Sequence, residues 1–203
     1  MWRSWTSSNM SKFKELYQYC QTLDPRISTR DLQNKALEIT GKTVLQTARM
    51  TLDVKRIRGF FISADNMSTS VARLFSRDVI VLAKEMNTCW QRFVFTKELM
   101  HLFDSPEEKV AQASQLECLL SDFEVPKPAS GRSEQFESEA NGLWMALACL
   151  CPEKYRLEFK EQLKNKHTDY YEIALKLRIP EHQVPNLFRE NFLDMINNIL
   201  EKK

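Results

Sequence analysis

Long apolar runs, a cysteine framework and an excess of charge are all missing from this chain, and histidine is scarce. The longest strongly apolar stretch, "LWMALACLC" (143 to 151), is too short to cross a bilayer. The opening "MWRSWTSSNM" has no apolar segment of the kind a secretory leader carries. Five cysteines, an odd number without regular spacing, do not form a disulfide framework. Cys149 and Cys151 lie two apart in a helical stretch, so they diverge and make a poor metal pair; the cysteines read as buried reduced thiols. A net charge of +2 is too small to mark a nucleic-acid binder. There is no internal repeat and no low-complexity tract. These absences predict a soluble, cytoplasmic protein.

What is present is enough for a core. The chain has 203 residues, 43% of them hydrophobic, and 12 are Phe. That fits one sizeable domain, or one with a small appendage, rather than disorder. Residues 10 to 23 predict a helix with Phe13, Leu16, Tyr17 and Cys20 on one face. "STRDLQNKALEIT" predicts a second helix, capped by Ser28 or Thr29 and stopped by Gly41. "KTVLQTARMTL", "RIRGFFISAD" and "DVIVLAKEM" are rich in β-branched and aromatic residues and read as three strands. From Trp90 onward the pattern is helical. Ser105-Pro106-Glu107-Glu108 opens a helix to about Leu120, "VPKPASGR" is a loop, and Ser133 caps a helix that Pro152 ends. A small sheet followed by helices predicts an α+β fold. The divisions expected are 1–27, a helical segment; 28–152, the main domain; and 153–203, a helical subdomain.

The chemistry is concentrated in "RFVFTKELMHLFD", residues 92 to 104. In the His-Glu-x-x-His helix of zinc peptidases, two histidines four apart bind the metal and the glutamate acts as general base. Here Glu98 and His101 fill the last two roles, and Lys97 stands at the first histidine's position. With Lys97 at 0°, Glu98 falls at about 100° and His101 at about 40°, so the three share a sector. The remaining Phe93, Val94, Phe95, Leu99, Met100, Leu102 and Phe103 are apolar nearly all round, which predicts a buried helix. Lys and Glu are rarely buried unpaired, so a polar cleft or a buried ion network is expected. In "EQFESEANGLWMALACLC", the apolar stripe Phe136, Ala140, Leu143, Trp144, Leu147 and Cys151 is flanked by Glu137 and Glu139 on opposite sides. Periodicity does not choose between them. Glu137 has Asn141 one turn on, where an amide can orient a neighbouring ligand, and this favours Glu137 as the inward acid.

The order of "RGFFISAD" (58 to 65), "VIVLAKEMN" (79 to 87), "RFVFTKELMHLFD" and "ESEANGLWMALACLCP" (137 to 152) resembles the ImmA/IrrE family of metallopeptidases over roughly residues 28 to 185. The resemblance implies a zincin-like fold, with Glu98 as catalytic base, His101 and Glu137 as metal ligands and Asn141 in support. It also implies zinc, a cofactor that Lys97 argues against: a protonated amine has no lone pair to offer and repels the cation. The Lys97 ammonium is therefore expected to stand in for the metal. The extra helix at 106–120 lengthens the span between His101 and Glu137. Members of the family act on helix-turn-helix repressors of phages and mobile elements. The expected function is a regulatory, catalytically degenerate relative that binds a protein such as a repressor. Alternatives are an active zinc endopeptidase cleaving that repressor, and a toxin or antitoxin-like component. The tail "TDYYEIALKLRIPEHQVPNLF" has a helix-turn-helix rhythm, with Asp169 and Glu172 resembling a capping box. Pro185 in its second helix, and no Lys or Arg between 179 and 188, argue against direct nucleic-acid binding.

Overall fold

The computed structural model describes residues 6–64, 77–105, 108 and 133–201. The expected helix at 106–120 and the loop after it lie outside these, apart from Glu108. Two helices come first, α1 (Thr6–Gln21) and α2 (Thr29–Thr40). The Ser28 hydroxyl accepts from the backbone N–H groups of Arg30 and Asp31, satisfying orphan donors at the start of α2. Gly41 closes the helix at φ 71°, a left-handed conformation that glycine adopts without steric cost.

Three strands follow: β1 (Leu45–Met50), β2 (Gly59–Ile62) and β3 (Asp78–Ala83). They form a mixed sheet in the order β1-β3-β2, with β1 parallel and β2 antiparallel to the central β3. Every residue of β3 is buried, as the apolar run from Val79 to Ala83 requires of a central strand, and the buried Asp78 at its start pairs with Lys42. Gly59 permits the close approach of β2 to the next helix. A Cβ there would lie 2.6 Å from Val94 Cγ1 and 2.8 Å from the Val81 carbonyl.

That next helix, α3 (Thr88–Leu99), is capped by Asn87 and tightens into a 3-10 turn over Met100–Phe103. The predicted single helix to residue 104 is thus two geometries, and His101 belongs to the tighter one. After it come α4 (Glu134–Leu150), α5 (Glu153–Lys164), α6 (Tyr170–Leu177), a 3-10 turn (Glu181–Gln183), α7 (Val184–Leu187) and α8 (Phe192–Glu201). The architecture is α+β. Asp169 caps α6 through the Glu172 N–H, as its sequence suggests. The second helix of the helix-turn-helix rhythm is α7, four residues long, which offers no continuous recognition helix for a DNA groove.

One buried cluster spans the chain from Phe13 through Ile80, Leu99, Leu147 and Ile173 to Ile199. The three segments anticipated from sequence therefore share a core. Cys20, Cys149 and Cys151 are buried free thiols within it, and burial pushes the Cys151 thiol up to about 12. Among the described residues, no helix is long and apolar enough to cross a membrane.

Candidate functional site

The site lies where the end of α3 and its 3-10 turn meet the first turns of α4. Lys97, Glu98 and His101 come from the first, Ser138 and Glu139 from the second, and Asp104 follows the 3-10 turn. Glu98 is 1% exposed and His101 6%, in a helix whose Phe93, Val94, Phe95 and Leu99 are all buried. The polar sector expected from the sequence exists.

Lys97 Nζ donates to Glu98 Oε1 at 3.0 Å and to Glu139 Oε2. Burial alone would lower the pKa of this amine, but the carboxylates of Glu98 and Glu139 more than offset it and hold it above its usual value. His101 is treated similarly. Burial would lower its pKa, yet Asp104 and Glu139 raise it well above the ordinary imidazole value. Glu139 shows the reverse balance. Burial raises its pKa, while His101 first and Lys97 next hold it well below the usual carboxylate range. Among the described residues, the group sets Lys97 and His101, whose pKa values are both raised, against the carboxylates of Glu98, Glu139 and Asp104.

The imidazole is oriented from its other nitrogen. His101 Nδ1 donates to Asp104 Oδ2 at 2.7 Å. The buried Ser138 hydroxyl donates to Asp104 Oδ1 at 2.8 Å and lies 3.3 Å from Nδ1. Above the ring, Phe61 of β2 stacks with centroids 6.1 Å apart. Nε2 points inward, 3.3 Å from Glu139 Oε1 and 3.6 Å from Glu98 Oε2. Neither contact is aligned as a hydrogen bond, so Nε2 and Glu98 Oε2 are buried polar atoms without a hydrogen-bonding partner. Glu98, His101 and Glu139 offer ligand atoms within 4.8 Å of one another, close enough to share a cation.

The inward acid is Glu139, not Glu137, and this corrects the reading from sequence. Helix α4 meets α3 through Gly142, whose absent Cβ would sit 3.6 Å from the Lys97 carbonyl. Counting about 100° per residue from Gly142, Ser138 and Glu139 fall within about 60° on either side, and Glu137 falls about 140° away. Asn141 is displaced by about 100° and makes no hydrogen bond to the cluster among the described residues, so its expected supporting role is also corrected. The apolar stripe misled because α4 is buried nearly all round in its second half, so the stripe did not define the side facing α3. Gly142 lies on the facing side, at ordinary contact distance from Lys97.

Sequence reasoning also missed Asp104 and Ser138, which orient His101. The other histidines stay away. His182 packs on Trp90 with centroids 4.6 Å apart, and His167 is exposed. Comparison with known proteins returns no match: no family model, no curated protein and no solved structure matches this chain.

Proposed function

We propose that this chain is a regulatory, catalytically degenerate protein of the ImmA/IrrE type, with a zincin-like arrangement of sheet and helices, that binds a protein partner. The observation that carries the reading is the Lys97 ammonium. It hydrogen-bonds the carboxylates of Glu98 and Glu139, at the helical position where a zinc peptidase of this type has its first histidine.

The residues present do not fit a catalytic zinc. Such a zinc takes three protein ligands and an open position for water. With Glu98 in the base's role, His101 and Glu139 are the two ligands left, and Glu139 is already engaged by an ammonium. Asp104 and Glu139 raise the pKa of His101, so a metal at Nε2 would have to compete with a proton. The carboxylate of Asp104 on Nδ1 is the kind of outer partner that metal-binding histidines carry, retained here in an ion network. A helix-turn-helix repressor is the partner class that the family resemblance suggests.

One observation favours the alternative of an active peptidase. The unpartnered Nε2 of His101 and Oε2 of Glu98 face each other, and a cation would satisfy both. Zinc titration by calorimetry separates the readings. The unmodified chain is expected to bind no stoichiometric zinc, whereas Lys97→His gains binding by removing the ammonium and adding an imidazole beside His101 and Glu139. Tight zinc binding by the unmodified chain would overturn the degenerate reading in favour of the peptidase.

A further inference from the structure

The two edges of the sheet are not alike. β2 is half-buried along its whole length, whereas β1 exposes Gln46, Thr47, Arg49 and Met50. The ladder decides which backbone groups the exposed edge offers. The Lys84 N–H donates to the Met50 carbonyl, so Met50 turns its backbone groups toward β3, and by alternation so do Gln46 and Ala48. Leu45, Thr47 and Arg49 turn theirs outward. On that outer side the Gln33 side chain of α2 donates to the Leu45 carbonyl at 3.2 Å, which closes the start of the strand. The N–H and C=O groups of Thr47 and Arg49 have no backbone partner among the described residues. They form a ledge of donors and acceptors against which another strand can pair.

Side chains along β1 alternate between the two faces of the sheet. Leu45 joins the core and Arg49 reaches Gln91 of α3 at 3.4 Å, so the odd-numbered positions face the helices. Gln46, Ala48 and Met50, with Val44 just before the strand, share the other face. Val44 is 46% exposed and Met50 51%. One exposed strand therefore carries both an open backbone edge and two solvent-facing apolar side chains on a single face.

The strand is also complementary to itself. Laid antiparallel to a second copy about a two-fold axis at Ala48, Thr47 of each copy falls opposite Arg49 of the other in a hydrogen-bonded pair. The outward N–H and C=O groups of these residues then satisfy one another. Ala48 meets Ala48 of the second copy in a non-hydrogen-bonded pair, where Cα atoms approach to about 4.5 Å, a spacing that suits a small side chain facing its own image. Gln46 falls opposite Met50, so no like charges stand against each other, and Met50 packs beside Ala48 of the second copy. We infer that the β1 edge is a self-association surface, on which two copies of this chain pair antiparallel about Ala48 to make one continuous sheet. The closed two-fold symmetry uses the same patch on both copies. So few contacts fall short of a permanent dimer, and the association is weak, with a Kd on the order of 10–100 µM. Phe61, which stacks on His101, belongs to the opposite edge strand, and the pairing does not depend on the function proposed for that site.

Sedimentation velocity of the full chain over about 5–500 µM tests this, and should show a monomer–dimer equilibrium. Thr47→Pro removes an outward N–H that the β1–β3 ladder does not use, and should raise the dimer Kd about tenfold or more. Circular dichroism melting confirms that the variant is folded. Ala48→Cys reads the register independently of that variant. Two cysteines in a directly opposed non-hydrogen-bonded pair lie within disulfide reach, so oxidised glutathione should convert this variant to a covalent dimer, seen on a non-reducing gel. Thr47→Cys places the two thiols on a diagonal, about 7–8 Å apart by Cα, and should stay at the level of the unmodified chain. A chain that remains monomeric at every concentration would overturn the second copy as the occupant of this edge. A dimer indifferent to a folded Thr47→Pro would place the interface elsewhere, and failure of Ala48→Cys to cross-link would overturn the two-fold register. Zinc titration reports on Lys97 alone, so the dimer and the degenerate site fail separately.

Discussion

The Asp104 carboxylate holds His101 Nδ1 at 2.7 Å, which favours the protonated imidazole and aims Nε2 at Glu139 and Glu98. The folded-state pKa of His101 is raised. Its contribution to stability is therefore fully present below the unfolded value of about 6.5 and is lost as pH rises through the folded value. Asp104→Asn should move the imidazole titration to lower pH and cost about 2 kcal/mol on the acid side of neutrality. The cost should shrink above the folded pKa. NMR titration of the imidazole, with urea unfolding at two pH values, checks both; an unchanged His101 titration would refute the role given to Asp104.

Glu139 works in the opposite direction. Its folded pKa is depressed, so its stabilisation is present above the unfolded value of about 4.5 and is lost as pH falls through the folded one. Glu139→Gln should cost about 3 kcal/mol at neutral pH, because it leaves two buried cations undercompensated. The gap from the unmodified chain should close in acid. A gap independent of pH would mean that packing, not charge, makes Glu139 matter.

Charge balance decides the next case. Lys97→Met removes one of the two cations that the described residues place among Glu98, Glu139 and Asp104, and should cost about 3–5 kcal/mol. Lys97→Met/Glu139→Leu removes one charge of each sign and should be less destabilised than the single variant. Chemical denaturation of both provides the comparison. A double variant worse than Lys97→Met would show that the cluster is not held by balance.

Two glycines should respond oppositely to alanine. Gly59→Ala forces a Cβ into Val94 and the Val81 carbonyl, and should cost about 2 kcal/mol or more. Gly142→Ala meets the Lys97 carbonyl and Lys97 Cγ at ordinary contact distances of 3.6 and 3.7 Å, and should gain up to about 1 kcal/mol of helix propensity. Thermal melts suffice. Destabilisation by Gly142→Ala would mean that α3 and α4 pack more tightly than these distances indicate.

Much of this arrangement was legible in the residues themselves. Ser28 and Gly41 bounded α2, and the three β-rich stretches each gave a strand, because capping chemistry and strand composition act locally. The sector shared by Lys97, Glu98 and His101 followed from helical phase alone. Glu139 did not, because which side of α4 meets α3 is set by packing between distant segments, and burial on nearly every side erased the amphipathic signal. Asp104 was hidden for another reason. A reading in α-helical phase says nothing of a 3-10 turn, and that turn brings residues three apart into register.

That register has a consequence for how the site assembles. In the 3-10 turn of Met100–Phe103, His101 and Asp104 are about one full turn apart, so their contact closes within a few residues of chain. Glu139 and Ser138 arrive from more than thirty residues away. The aim of the histidine thus rests largely on a local contact, whereas the acid it faces comes from a distant segment. A variant that loosens α4 would leave the imidazole pointing the right way with nothing to point at.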